Sequence, residues 1–245
     1  KWIQFSIVWS KWKRGMSWWN DLWKLFFPQC CLICGTRLLE GEEHVCFRCL
    51  SGLPRTQMYG QPGNEVEKCL WGKVPFEKAS SYLYYTKGGD VRKLLFEMKY
   101  YGNVSLGRFL GRCMACDLLP SGFFEDVDVV IPVPLHPCKW KQRGYNQSRL
   151  LAEGISDITA LPLCDDWLIR RQYTETQTRK GNYERWLNVE NMFECTSDER
   201  FCGRHVLLVD DVLTTGATLV ACADALKQVP DIRISVLTLA MAGDI

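Results

Sequence analysis

The segment that most constrains the fold is residues 205–218, HVLLVDDVLTTGAT. Val206 to Val209 is a short, wholly apolar run, which predicts a strand buried on both faces of a parallel sheet. Asp210 and Asp211 follow it, and then Thr214-Thr215-Gly216-Ala217-Thr218. From about Gly216 to Lys227 a helix is predicted, with Leu219, Ala223 and Leu226 recurring on one face. A hydroxyl-rich turn between a buried strand and a helix N-terminus makes a phosphate cradle. Free backbone N–H groups and the positive end of the helix dipole face the ligand, and threonine hydroxyls add donors. Gly216 has no Cβ to keep a phosphate at a distance. Carboxylates repel phosphate, so the paired acids fit a ligand with phosphate at one end and hydroxyls or a divalent metal at the other. A sugar phosphate has that layout. A plain helix cap would need one acid and one hydroxyl, not the whole run.

Four apolar residues, two acids and Thr-Thr-Gly-x-Thr together resemble the phosphoribosyl-pyrophosphate (PRPP) loop of type I phosphoribosyltransferases. The run is distinct from a Walker loop, which would need a lysine after the glycine.

At 245 residues the chain can hold one sizeable α/β domain and something small. A net charge of +2 gives no global field for nucleic acid, so any basic surface must be local. The 13 cysteines are odd in number, with one dense cluster near the start and no signal peptide ahead of it. That favours reduced thiols and a metal site in the cytoplasm over a disulfide framework. No apolar run reaches the length of a membrane span, so no stable membrane insertion is expected, beyond a peripheral position at the inner membrane.

Residues 1–28 form an aromatic, basic N-terminal segment. Trp2, Trp9, Trp12, Trp18, Trp19 and Trp23 lie among Lys11, Lys13, Arg14 and Lys24. Lys1 is not an initiator and Met16 would be a natural start; residues 18–27 then read as a short amphipathic helix ended by Pro28. Such a helix could lie on a membrane surface or stack on single-stranded nucleic acid, but the plainer reading packs it on its own domain. Residues 29–55 are read as a zinc module. Cys31-x-x-Cys34 and Cys46-x-x-Cys49 put four thiolates where a tetrahedral Zn²⁺ wants them, and a fold this small needs the metal. Four sulfur ligands leave no open position, so the zinc is structural; Cys30 and His44 stand off register as bystanders.

Residues 56–76, rich in glycine and proline, read as a linker to a main domain at 77–245. Ala79 to Tyr85 is its first predicted strand. Helices follow over residues 90–98 and 104–118, the second carrying Cys113 and Cys116 as two packed thiols. Asp128 to Val133 is another buried strand, leading into Pro132-Val133-Pro134-Leu135-His136 at the carboxyl edge, where α/β ligand sites lie. Lys139, Lys141 and Arg143-Gly144-Tyr145-Asn146-Gln147 then read as a basic loop able to hold a second anionic group such as pyrophosphate. A helix over 149–158, a short strand over 167–171, a polar loop-like stretch over 172–193 and a last strand over 232–239 complete the chain.

Taken together, these residues resemble the ComF family, phosphoribosyltransferase-like proteins linked to bacterial competence. The resemblance spans residues 18–245. It is carried by Phe27-Pro28 and the four cysteines, Lys99 before Tyr-x-Gly, Pro132 to His136, Arg143 to Gln147, Gln177 with Arg185 and Asn188, and Asp210 to Thr218. Residues 1–15 match nothing in it, and Cys30 is an extra thiol. It implies a type I phosphoribosyltransferase fold with an N-terminal four-cysteine zinc module. Asp210 and Asp211 would then bind the ribose hydroxyls. Thr214, Thr215, Gly216, Ala217 and Thr218 would hold the 5′-phosphate, with Val212 and Leu213 in the same loop. The turn at Val133 to His136, with Val133, Pro134 and Leu135 as its binding residues, would meet the pyrophosphate through Mg²⁺, and the basic loop around Arg143 would close over it.

The implied reaction is displacement of pyrophosphate from PRPP at the anomeric carbon. Mg²⁺ and Arg143 or Lys141 would stabilise the leaving group, and Asp210 and Asp211 the ring charge. No general base is identifiable. Two rival functions stand beside the enzyme: a PRPP-binding adaptor of the DNA-uptake apparatus that handles single-stranded DNA, and a PRPP-sensing regulator.

Overall fold

The structure is a computed structural model that describes residues 29–171, 192–196 and 201–242. The predicted helix over 18–27, Gln177, Arg185 and Asn188 lie outside the described residues. The chain divides into two compact units, Lys1–Gly52 and Leu53–Ile245.

In the first unit, residues 31–34 form a tight turn. The Gly35 N–H donates to the Cys31 carbonyl at 2.9 Å and the Cys31 N–H to the Thr36 carbonyl at 2.8 Å. Gly35 takes φ +73°, a conformation that costs glycine little. The second knuckle opens at Cys46, the N-cap of a short helix, α1 (Phe47–Ser51), which carries Cys49. Glu42 joins the two halves by accepting from the N–H groups of Leu39 and Phe47, both at 2.7 Å.

The second unit starts before Arg55, which the sequence assigns to the zinc module. The reason is backbone pairing along the first strand, β1 (Ala79–Tyr85). Thr56 N–H donates to the Tyr82 carbonyl (3.0 Å), and Tyr84 N–H to the Pro54 carbonyl (2.8 Å). Asp117 holds this start of the second unit to β1, accepting from Arg55 Nε at 2.6 Å and from the Tyr82 hydroxyl at 2.7 Å. The stretch 56–76 is likewise more than a linker. It holds a helix, α2 (Glu65–Leu70), capped by the Asn64 side chain, and Val66 and Leu70 are buried in the core. Its glycines punctuate this helix: Gly60, Gly63 and Gly72 all take positive φ.

After β1 come α3 (Asp90–Tyr100), α4 (Val104–Leu118), β2 (Val129–Pro132), α5 (Pro137–Arg143) and α6 (Gln147–Thr159). A two-stranded antiparallel hairpin follows, β3 (Leu168–Arg170) with β4 (Phe193–Cys195), and then β5 (His205–Leu213), α7 (Ala217–Leu226) and β6 (Arg233–Ala242). The main sheet has the order β1-β6-β5-β2, and every neighbouring pair is parallel. One row crosses it from Ile131 to Leu208, Val236 and Ala79, all buried in one core with Leu219 of α7 and Leu70 of α2. Helices α3 and α6 pack against the strands, with α4 against α6. Helices therefore flank the parallel sheet, the α/β arrangement expected of strands with uninterrupted apolar runs. Helices α4 and α6 cross so closely that a Cβ on Gly111 would collide with the Leu151 carbonyl, and one on Gly154 with the Arg108 carbonyl.

Three local readings change. Strand β5 does not stop at Val209 but continues through both acids to Leu213, because β6 runs on beside it and pairs Asp210 with Thr238 and Val212 with Ala240. The predicted basic loop is helix α5: Pro137 stands in its first turn, the His136 side chain caps it and Gly144 ends it at φ +79°. Of the two helical thiols only Cys113 is packed, and burial pushes it up to about 11; Cys116 is exposed. Among the described residues no helix is long and apolar enough to cross a membrane.

Candidate functional site

Parallel strands end together, so β2 and β5 deliver their following residues to one edge. Val133 N–H donates to the Val209 carbonyl at 2.9 Å, which sets the Val133-Pro134-Leu135 turn beside Asp210. Asp210, Asp211, Val212 and Leu213 are the last four residues of β5. Thr214 and Thr215 are exposed in the turn, Gly216 is the N-cap of α7 at φ +75°, and Ala217 and Thr218 open the helix. Among the described residues the N–H groups of Thr215 and Gly216 have no protein acceptor. Two unpaired amides thus stand at the positive end of a ten-residue helix, where backbone donors and the helix dipole favour negative charge.

The acids are held by residues far away in sequence. Asp210 accepts from the Ser148 hydroxyl at 2.9 Å and from the Asp211 N–H at 2.8 Å. Asp211 meets the Lys99 ammonium at 2.8 Å, with side chains only 22% (Lys99) and 18% (Asp211) exposed. Burial, and then the neighbouring Asp211 charge, push Asp210 up to about 7. An acid raised in the folded state favours folding most below its unfolded value, about 3.9, and that contribution is lost as pH rises through about 7.

Arg143, at the end of α5, donates to Gln147 Oε1 at 2.9 Å and lies over the Tyr100 ring, 5.4 Å from its centroid. Tyr100 follows Lys99, so Arg143, the cation nominated from sequence, stacks on the neighbour of the residue that pairs with Asp211. Arg143 Nε is buried with no partner among the described residues. The sequence Gly144-Tyr145-Asn146 braces this corner: Asn146 Nδ2 donates to the Val133 carbonyl at 2.9 Å and the Tyr145 hydroxyl to the Met98 carbonyl at 2.8 Å.

Sequence reasoning missed Ser148 and Arg170 and used Lys99 only as a mark of resemblance. Arg170, on β3, has a buried Nε without a partner among the described residues; its Nη2 lies 3.1 Å from the Met192 sulfur and its guanidinium over the Phe193 ring. Burial pulls its guanidinium down, and the Asp210 charge acts on it from a distance. An arginine in a strand of three residues carries no sequence signal that it faces a site.

In the first unit, the sulfurs of Cys31, Cys34, Cys46 and Cys49 all lie within 4.8 Å of one another. A tetrahedron with Zn–S of about 2.3 Å requires sulfurs roughly 3.8 Å apart, and Cys34 and Cys46 stand at 3.8 Å. The donor set fits zinc. The Thr36 hydroxyl beside Cys34, 3.3 Å from its sulfur, holds that thiol below its usual range. Cys30 and His44 are not part of the cluster.

The chain thus joins a parallel α/β domain, with an acid pair and two unpaired amides at its carboxyl edge, to a four-cysteine module. It is ComF-like: competence protein F of Haemophilus influenzae is 27% identical over 227 residues, covering 89% of this chain and 99% of that protein. The DNA utilization protein YhgH of Escherichia coli O157:H7 is 27% identical over 201 residues, 81% of this chain and 84% of the relative. No protein-family model matches the chain. Among solved structures, the glutamine PRPP amidotransferase of B. subtilis complexed with ADP and GMP is 20% identical. It covers 58% of this chain and 30% of its own at a TM-score of 0.40, a likeness too partial to add to the fold.

Proposed function

We propose that this ComF-like protein binds PRPP, or a related sugar phosphate, with Mg²⁺ at the carboxyl edge of its sheet. It transfers the 5-phosphoribosyl group to an acceptor, in the setting of DNA uptake. The observation that carries this reading is the junction of β5 and α7. Two carboxylates stand two residues before a threonine turn whose free amides can take a phosphate, a polarity that matches a phosphorylated sugar. Asp210 and Asp211 accept from the ribose hydroxyls and place negative charge beside the ring as it becomes cationic. Thr214 to Thr218 hold the 5′-phosphate. Arg143, with its unpartnered Nε, and the Val133–Leu135 turn flank the leaving pyrophosphate. Mg²⁺, when bound, neutralises charge on that group, and the hard oxygens of the turn and of the acids suit it. Sugar hydroxyls need the ionised Asp210, so PRPP affinity should rise across the window around pH 7, and D210N should flatten the rise. Calorimetric titrations at about pH 6 and 8 read this directly.

Release of pyrophosphate from PRPP and Mg²⁺ with a panel of bases and amines tests the transferase reading. Turnover with one acceptor supports it. PRPP binding with no release across the panel leaves the non-catalytic readings, the single-stranded DNA adaptor or PRPP-sensing regulator. The names of the relatives, competence and DNA utilization, favour the adaptor of these two.

A further inference from the structure

The segment from Cys69 to Lys73 touches the threonine turn residue by residue from behind. The Cys69 sulfur lies 3.8 Å from the Thr214 carbonyl oxygen, and Lys73 Nζ donates to the Thr215 carbonyl at 3.2 Å. A Cβ on Gly216 would stand 2.6 Å from Leu70 Cδ2. Lys73 also donates to the Cys69 carbonyl at 2.7 Å, so one ammonium bridges the end of α2 and the turn.

The peptide plane gives these contacts a consequence. The Thr215 carbonyl and the Gly216 N–H belong to one rigid unit, as do the Thr214 carbonyl and the Thr215 N–H. Engaging both carbonyls from the α2 side fixes the two planes and turns their N–H groups the other way, and these are the two N–H groups with no protein acceptor. A charged donor on the carbonyl also polarises the unit, which makes its N–H a stronger donor to an anion. We infer that Lys73 is a positioning residue for the phosphate cradle, acting through the Thr215–Gly216 peptide without touching the ligand. The inference rests on the proposed sugar-phosphate site. It makes the glycine-rich stretch before β1 the back wall of that site.

The test compares wild type, K73M and K73R in the full-length zinc-loaded protein, by titration with PRPP and Mg²⁺ and by amide hydrogen exchange of residues 214–217 without ligand. Lys73 is exposed, so K73M should unfold at the wild-type midpoint. It should bind PRPP about tenfold more weakly, the scale of one charge-assisted hydrogen bond, and exchange the Gly216 amide faster. K73R should restore both to within about threefold. Wild-type binding matched by K73M, or unchanged Gly216 exchange in K73M, overturns the clamp while leaving the sugar-phosphate site standing. If wild type does not bind PRPP, the site reading fails, and unchanged exchange in K73M would then remove the clamp on its own terms.

Discussion

D210N/D211N is expected to abolish the thermal stabilisation that PRPP and Mg²⁺ confer on the wild-type protein. At a ligand concentration of about 100 times the dissociation constant, binding stabilises the folded state by about 2.7 kcal/mol. For a domain of this size that is a rise of roughly 5–10 °C in Tm. Asn keeps the shape of Asp and removes only the charge and the acceptor strength that sugar hydroxyls and a cationic ring require. The double variant should still fold. Asp210 already resists ionisation in its buried place, so a neutral amide there costs little, and at Asp211 the loss is one part-exposed ion pair with Lys99. A differential scan with and without ligand reads the result. An undiminished shift in the double variant would mean that the sugar is held elsewhere.

The second large effect concerns the metal. Metal analysis should find one zinc per chain, and chelation, or replacement of Cys31 and Cys46 by Ser, should unfold residues 29–52. Few apolar side chains are buried in this segment: Val45 is, together with the sulfurs of Cys31 and Cys46, whereas Leu39 and Phe47 are 73% and 74% exposed. Burial on that scale cannot offset the entropy of ordering the chain. A structural zinc contributes about 10–16 kcal/mol in comparable small folds, so its loss is decisive. Hydrogen exchange across the segment before and after chelation shows it. Protection that survives metal removal would refute the structural role.

Much of this was legible before any coordinates. The cysteine knuckles and the strand–acid–turn–helix run are local patterns, and each chemistry-bearing residue sits within a few positions of the next. Strand β1, whose first five residues are all buried, and helix α4, with its long apolar face, coincide with their predicted limits. Where β5 ended was not legible, since Asp210 and Asp211 look like a strand stop until β6 is seen pairing beside them. Helix α5 was missed although its proline start and glycine end were in view; its lysines and arginine suggested a solvated loop. The stretch 56–76 was misjudged because glycines that bracket a short buried helix have the composition of a linker.

By itself the sequence determined the chemically distinctive local groups: an acid pair, a threonine turn and a four-thiol cluster, all specified by short-range spacing. Tertiary structure alone decided what supports them. Ser148 lies 62 residues from the Asp210 it binds, and Lys73 lies 142 residues from Thr215. No local pattern encodes such pairings, because they arise only when buried strands and their covering helices settle into one register and bring distant side chains to the same edge of the sheet.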